Sequence, residues 1–333
     1  MIVTLLLLEG GVRVVLSLSL TRYLTQTLPQ PYATIMQKVG GFDHFMMGGY
    51  KFDPICYFIP KGGFFRSEKG SMDVPKEKEP GEIRIICIGD STTYSVAVNY
   101  DDSWVALLGE KLKQRYPEKK LRVLNAGVPG ASSKQIKRFF QFYLAPYRPD
   151  ILIWRGGQGL SDTYSVNKTA DSVRTFLWRC LYESRLFRVI CVLLDKAEGR
   201  TANGVFYFMT HSDPQFFSKG RVERFNSDYD MVKKIAQDHG ARYVLQVEYP
   251  NQEAMEMPGA EFMDRASNDL DPNVPMWAPF KDYKKKNPSK ELFVDPVHLT
   301  EAGEAITAEG VAKFIIDNRW IESFPDPEKA ETH

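Results

Sequence analysis

Cysteine and histidine are both scarce in this 333-residue chain, with four of the first and five of the second. Cys56, Cys87, Cys180 and Cys191 contain no C-x-x-C pair. On one helix Cys180 and Cys191 would stand about 16 Å apart, beyond the reach of a disulfide. A disulfide framework and a zinc site are therefore not expected. The thiols do not decide the compartment. A surplus of either charge is also missing, since 43 Lys and Arg face 42 Asp and Glu for a net charge of +1. With no global field to attract a polyanion, nucleic acid is not expected as a partner. Internal repeats are absent.

An apolar run long enough to span a bilayer is missing too. Met1 to Leu8 is apolar, but Glu9, Gly10, Gly11 and Arg13 interrupt it. A spanning helix needs about 20 residues. Neither a basic leading region nor a small-residue cleavage site marks a secretory signal. Glu9 and Arg13 are spaced to pair on one helical face. Two readings of the apolar stretch 1–24 stay open. One is a helix docked on the domain; the other is a membrane-proximal segment that meets lipid through residues 1–20. Membrane-associated, extracytoplasmic and cytoplasmic locations are all left open.

The length is enough to bury a full α/β core. Residues 25–80 read as an extension and linker. Gly40-Gly41-Phe42, Gly48-Gly49-Tyr50 and Lys61-Gly62-Gly63-Phe64-Phe65 mark turns between short strands or an ordered loop. The charged run Met72 to Pro80 reads as a solvated linker. Ile83 to Ile88 is a short apolar run bounded by Pro80-Gly81 and Gly89, as in a buried parallel strand, so Cys87 is expected to be a buried thiol. Apolar positions at 104, 105, 107, 108 and 112 predict an amphipathic helix from Trp104 to Tyr116, ended by Pro117. Leu121 to Leu124 is a second strand, closed by Asn125-Ala126-Gly127. Gln135 to Tyr147 reads as a helix, and Asp150 to Trp154 as a third strand. Strands alternating with helices predict a parallel sheet with right-handed crossovers.

Residues 160–222 break that rhythm with a helical and irregular insert of the kind used as a lid or partner surface. Thr175 to Lys196 is its helical part. The aromatics at Phe206, Tyr207, Phe208, Phe216 and Phe217 read as packing. The core returns with a helix from Phe225 to His239 and a strand from Ala241 to Val247. A loop from Pro250 to Glu291 follows, and Thr300-Glu301-Ala302-Gly303 opens a last helix that runs to about Asn318. Lys134, Lys137 and Arg138 read as the wet face of a helix.

The chemistry centres on Gly89-Asp90-Ser91-Thr92, at the carboxyl end of the first core strand, where open α/β sheets bind ligands. A serine there suits a nucleophile, and its own N–H can face an acyl oxygen. Far along the chain, Asp295 and His298 are spaced so that the carboxylate orients the imidazole, which takes the Ser91 proton. The other histidines lack such company. Gly156-Gly157-Gln158-Gly159 has the spacing of neither nucleotide-binding fingerprint.

Gly89-Asp90-Ser91-Thr92, Asn125-Ala126-Gly127 and Asp295-Pro296-Val297-His298, in that order, resemble the SGNH (GDSL-type) hydrolase family. The resemblance covers residues 83–318 and implies a flavodoxin-like three-layer α/β/α sandwich with a mostly parallel sheet. Its domain would be residues 81–320, with 321–333 as a tail. It implies Ser91 as nucleophile, His298 as base and Asp295 as its orienter, with Asp90 and Asn125 supporting. The oxyanion hole would be built from the backbone N–H groups of Ser91 and Gly127 and a third donor, an Asn amide. This chain departs there: Gly156 matches the motif's glycine, but Gln158 stands at the Asn position, one methylene longer. Losing such a donor outright costs about 3–4 kcal/mol, a slowing rather than a loss of catalysis. Gln158 is taken as its substitute.

The expected activity is that of a serine esterase or acyl hydrolase. It would cleave O-acetyl carbohydrate or short-chain acyl esters through an acyl-enzyme, without metal or organic cofactor. Two alternatives stay open: an O-acetyltransferase using the same residues on a polysaccharide, and an impaired binding or scaffold protein on this fold.

Overall fold

The computed structural model describes residues 7–12, 50–53, 56–129, 131–156, 181, 184–197, 222–248, 250, 272–294 and 297–325. The chain forms two compact units, Met1–Gly62 with Ser161–Lys219, and Gly63–Leu160 with Gly220–His333. In the first unit, β1 (Tyr50–Asp53) and β2 (Tyr57–Pro60) pair antiparallel. Their turn is fastened by the Cys56 N–H, which donates to Asp53 Oδ1 at 2.7 Å. Residues 7–12 are helical. The Glu9 carboxylate accepts from Ser184 Oγ at 2.8 Å and from the Leu186 N–H at 2.9 Å, and so caps the helix Arg185–Ala197. Arg13, its expected helical partner, lies outside the described residues. No helix among the described residues is long and apolar enough to cross a membrane.

The second unit opens with a hairpin of β3 (Phe65–Ser67) and β4 (Gly70–Met72). Then comes the run Met72 to Pro80, most of whose side chains are exposed. Its contacts are more than those of a solvated linker. Lys78 Nζ lies 2.7 Å from Asp150 Oδ1, Tyr147 Oη donates to Asp73, and buried Arg84 donates to the Lys76 carbonyl at 2.9 Å.

The central sheet holds β5 (Glu82–Gly89), β6 (Lys120–Gly127), β7 (Ile151–Arg155), β8 (Tyr243–Val247) and β9 (Asn273–Val274). All pairs are parallel, in the order β6-β5-β7-β8-β9. Numbered along the chain this is the flavodoxin-like order, which reverses between β5 and β7. Every residue of β5 and β7 is buried, as both faces are covered. The covering helices are α1 (Ser91–Tyr94), α2 (Trp104–Arg115), α3 (Ser133–Phe139), α4 (Val222–Asp238), α5 (Trp277–Lys286) and α6 (Glu301–Asp317).

Side chains alternate across a strand, and each face has its own helices. Ile83, Ile85, Cys87, Ile151, Ile153 and Leu245 share one apolar core with Trp104 and Leu108 of α2, Phe280 of α5 and Val311 of α6. On the opposite face, Trp154 of β7 meets Phe225 and Tyr229 of α4 at ring distances of 5.3 and 6.1 Å. Cys56, Cys87 and Cys191 are buried, and Cys180 lies outside the described residues.

Four local expectations change. β6 runs on through Asn125-Ala126-Gly127 in unbroken register with β5, so this motif is strand and not turn. The helix expected from Gln135 begins at Ser133, where Ser132 and Gln135 form a capping box. It loosens into a π turn over Phe140–Leu144 and a 3-10 turn over Ala145–Tyr147, because Pro146 has no N–H to continue the ladder. Lys137 of this helix is mostly buried, paired with Asp228 of α4, which also accepts from Ser133 Oγ at 2.9 Å. Finally, the supposed loop before Glu291 contains β9 and α5. Glu248, at the end of β8, caps α5 by accepting from the Met276 and Trp277 N–H groups, the latter at 2.9 Å. Residues 251–271 lie outside the described residues.

Candidate active site

Ser91 stands at the carboxyl end of β5, beside the point where the strand order reverses and a crevice opens. It is the first residue of α1, whose N-cap is Asp90. Asp90 Oδ1 accepts from the Thr92 N–H at 2.9 Å and from Thr92 Oγ1 at 2.8 Å. The helix stops after one turn, because Ser95 turns left-handed at φ +60° and returns its N–H to the Ser91 carbonyl. Two glycines leave room for this turn. A Cβ on Gly127 would lie 2.2 Å from the Tyr94 nitrogen. Gly156 holds φ +84°, and a Cβ there would lie 2.4 Å from Asp90 Oδ1 and 2.6 Å from Thr92 Oγ1.

His298 reaches the same point from the other end of the domain. Its Nε2 lies 2.8 Å from Ser91 Oγ, and both residues are half-buried. With the ring proton on Nδ1, Nε2 accepts from the serine hydroxyl. The segment carrying His298 is braced on both sides. The Val294 N–H donates to the His298 carbonyl at 2.8 Å, and Phe293 bridges to Leu299. Thr300 then caps α6, its Oγ1 accepting from the Gly303 N–H at 3.4 Å and donating to the Glu291 carbonyl at 2.8 Å. Asp295 and Gln158 lie outside the described residues.

The family resemblance implies the Gly127 N–H as an oxyanion donor. That N–H donates to Asn125 Oδ1 at 3.0 Å, beneath α1, so the donor is already committed. The same Asn125 side chain donates from Nδ2 to the Thr93 carbonyl at 2.9 Å. Asn125 thus braces the serine turn from below, and Asp90 braces it from the amino end.

Three residues that sequence reasoning passed over also touch this turn. Arg155, fully buried at the end of β7, donates from Nη1 to the Thr92 carbonyl at 2.6 Å. Arg66 of β3 donates to the carbonyls of Tyr94, Ser95 and Val98, the last at 2.7 Å. Glu304 of α6 accepts from Ser95 Oγ at 2.9 Å and from the Trp104 N–H at 3.0 Å. Burial pushes the Glu304 carboxyl above its ordinary range, with Arg155 the strongest opposing influence. The available signal was a lone arginine ending an apolar strand, which the sequence alone places only in a turn. Among the described residues, no group of three or more His, Cys, Asp or Glu side chains is placed to hold a metal ion.

No curated protein matches the chain. Solved structures similar to it include an α/β hydrolase from the metagenome of Lake Arreo, Spain, at 16% identity, covering 70% of this chain and 93% of that one, with a TM-score of 0.41. An acetylxylan esterase from Geobacillus stearothermophilus is similar at 17% identity, covering 72% and 96%, with a TM-score of 0.44. An acetyl xylan esterase is similar at 17% identity, covering 70% and all 100% of that chain, with a TM-score of 0.43. The profile of the GDSL-like lipase/acylhydrolase family matches residues 87–306, from inside β5 to inside α6 and well over half of the sequence. The chain therefore belongs to the GDSL-like lipase/acylhydrolase family and is a hydrolase.

Proposed function

We propose that the protein cleaves carboxylic esters through an acyl-enzyme on Ser91. The observation that carries this reading is the 2.8 Å approach of His298 Nε2 to Ser91 Oγ at the carboxyl end of β5. Ser91 Oγ attacks the acyl carbon while its proton passes to His298 Nε2. The tetrahedral intermediate then collapses; the ester bond breaks, and the alcohol leaves with the proton from His298. Water next gives a proton to His298 and attacks the acyl-serine, which releases the acid and restores Ser91. Asp295 is proposed to hold the ring proton on Nδ1.

The oxyanion needs donors aimed at the developing charge. As the first helical residue, Ser91 has an N–H without an acceptor inside α1. At the end of β6 and in the loop that follows, the N–H groups of Gly127, Val128 and Ala131 already have acceptors, and Pro129 has none to offer. That favours the Gly130 N–H as second donor and the Gln158 amide as third, both from residues outside the described set. The substrates proposed are O-acetyl carbohydrates or short-chain acyl esters.

The test is a fluorophosphonate probe together with a panel of aryl and sugar acetates. Wild type should be labelled on Ser91, and Ser91→Ala should lose both labelling and turnover while remaining folded. Labelling of another residue, or turnover retained by the folded variant, would place the nucleophile elsewhere. If product acetate appears on an added acceptor sugar rather than in solution, the reaction is transfer and not hydrolysis.

A further inference from the structure

The one-turn helix that carries Ser91 is too short to hold itself. A single turn fixes several residues for very few hydrogen bonds and is unfavourable on its own. Its carbonyls are nevertheless all engaged, three of them from outside. The Ser91 carbonyl accepts the Ser95 N–H. The Thr92 carbonyl accepts from Arg155, the Thr93 carbonyl from Asn125, and the Tyr94 carbonyl from Arg66. The donors come from β7, β6 and β3, so three separate elements converge on one turn.

Arg155 is the most directly connected of these. Its guanidinium holds the carbonyl of the residue that follows the nucleophile, while its own carbonyl accepts from Thr93 Oγ1 at 2.6 Å. It sits opposite Gly89 in the β5–β7 register, two residues before Ser91. Its guanidinium lies 5.9 Å from the centre of the Trp104 ring, and the Trp104 backbone N–H donates to Glu304. An arginine with no exposed surface needs a compensating charge, and Glu304, 2% exposed, is the buried carboxylate of this cluster.

We propose that Arg155 is a positioning residue for ester cleavage: through the Thr92 carbonyl it sets the direction in which Ser91 presents its Oγ and N–H, with Glu304 balancing its charge. This rests on Ser91 being the nucleophile. A serine displaced by about 1 Å loses on the order of a hundredfold in rate while substrate binding is little affected. The signature is thus a fall in kcat at nearly constant KM.

Removing Arg155 alone takes from the buried Glu304 carboxylate the strongest of the charges that offset its burial. The informative variants are therefore Arg155→Lys, which keeps the charge but loses the planar fork, and the charge-balanced pair Arg155→Met with Glu304→Gln. For each, the folded fraction from urea unfolding, kcat and KM on p-nitrophenyl acetate, and the rate of fluorophosphonate labelling are measured. Arg155→Lys should lose about tenfold in kcat and labelling rate per folded molecule, and the charge-balanced pair about a hundredfold, with KM within about twofold of wild type. Losses that merely track the folded fraction would make Arg155 structural only and overturn the proposal. So would wild-type kcat in folded Arg155→Lys, or an effect confined to KM. Labelling of wild type at a residue other than Ser91 would instead overturn the nucleophile assignment, so the two failures are distinguishable.

Discussion

Gly156→Ala tests whether the end of β7 shapes the serine turn. Two costs can be worked from the geometry. Gly156 has φ +84°, and alanine in the left-handed region costs about 1–2 kcal/mol. The new methyl would also lie 2.4 Å from Asp90 Oδ1 and 2.6 Å from Thr92 Oγ1, so the carboxylate must move off the Thr92 N–H that it caps. Losing an N-cap costs about 1 kcal/mol. The sum is a loss of about 2–3 kcal/mol in unfolding free energy. Moving Asp90 moves the residue beside it, so kcat per folded molecule should fall by about a hundredfold. Gly240→Ala is the control. It also has positive φ, at +96°, but a Cβ there meets nothing within 4 Å. It should lose about 1–2 kcal/mol and no kcat. Urea unfolding monitored by tryptophan fluorescence and p-nitrophenyl acetate turnover give both numbers. A fully active Gly156→Ala, or an equal kcat loss in Gly240→Ala, would refute the reasoning.

Asn125→Ala strands the Gly127 N–H and the Thr93 carbonyl, so urea unfolding should show a loss of about 2–4 kcal/mol. A midpoint unchanged from wild type would mean that water replaces both bonds. His298→Ala should abolish fluorophosphonate labelling of Ser91 at neutral pH without moving the unfolding midpoint, and a labelled variant would remove the imidazole from the proton transfer. Glu82→Gln probes the buried ion pair under the sheet. Burial pushes the Glu82 carboxyl up, but the Arg84 hydrogen bond at 2.6 Å, the Glu79 N–H and the nearby arginine charges outweigh it and hold the group below its ordinary 4.5. The native state thus releases this proton more readily than the unfolded chain. Its contribution is present above pH 4.5 and is lost as pH falls through the lower native value. The variant should be less stable by about 3 kcal/mol at pH 7, because Arg84 is left buried and unpaired. That gap should narrow in acid; a gap that stays constant from pH 7 to pH 3 would contradict the assigned shift.

The sequence by itself determined the sheet and the motifs on it. Ile83 to Ile88, short and bounded by Gly, reads as a strand covered on both faces, and the alternation of strands with periodic helices implied parallel pairing. Thr300 announced the start of α6, which begins at Glu301. Gly89-Asp90-Ser91 at a strand end and His298 near a helix start were readable because turn and cap chemistry is local. Tertiary structure decided the rest. The cap of α5 is Glu248, a carboxylate on another strand, and Pro279 is accommodated in the first turn; nothing near Trp277 signals a helix start. Asn125-Ala126-Gly127 looked like a turn from its composition, yet register with β5 keeps it in the sheet and commits the Gly127 N–H to Asn125. The 2.8 Å between Ser91 and His298 exists only because the fold brings the segment before α6 to the carboxyl end of β5. Arg155 and Arg66 were the least legible of all. A buried arginine follows no periodicity, and its place depends on which carbonyls the fold leaves without a donor.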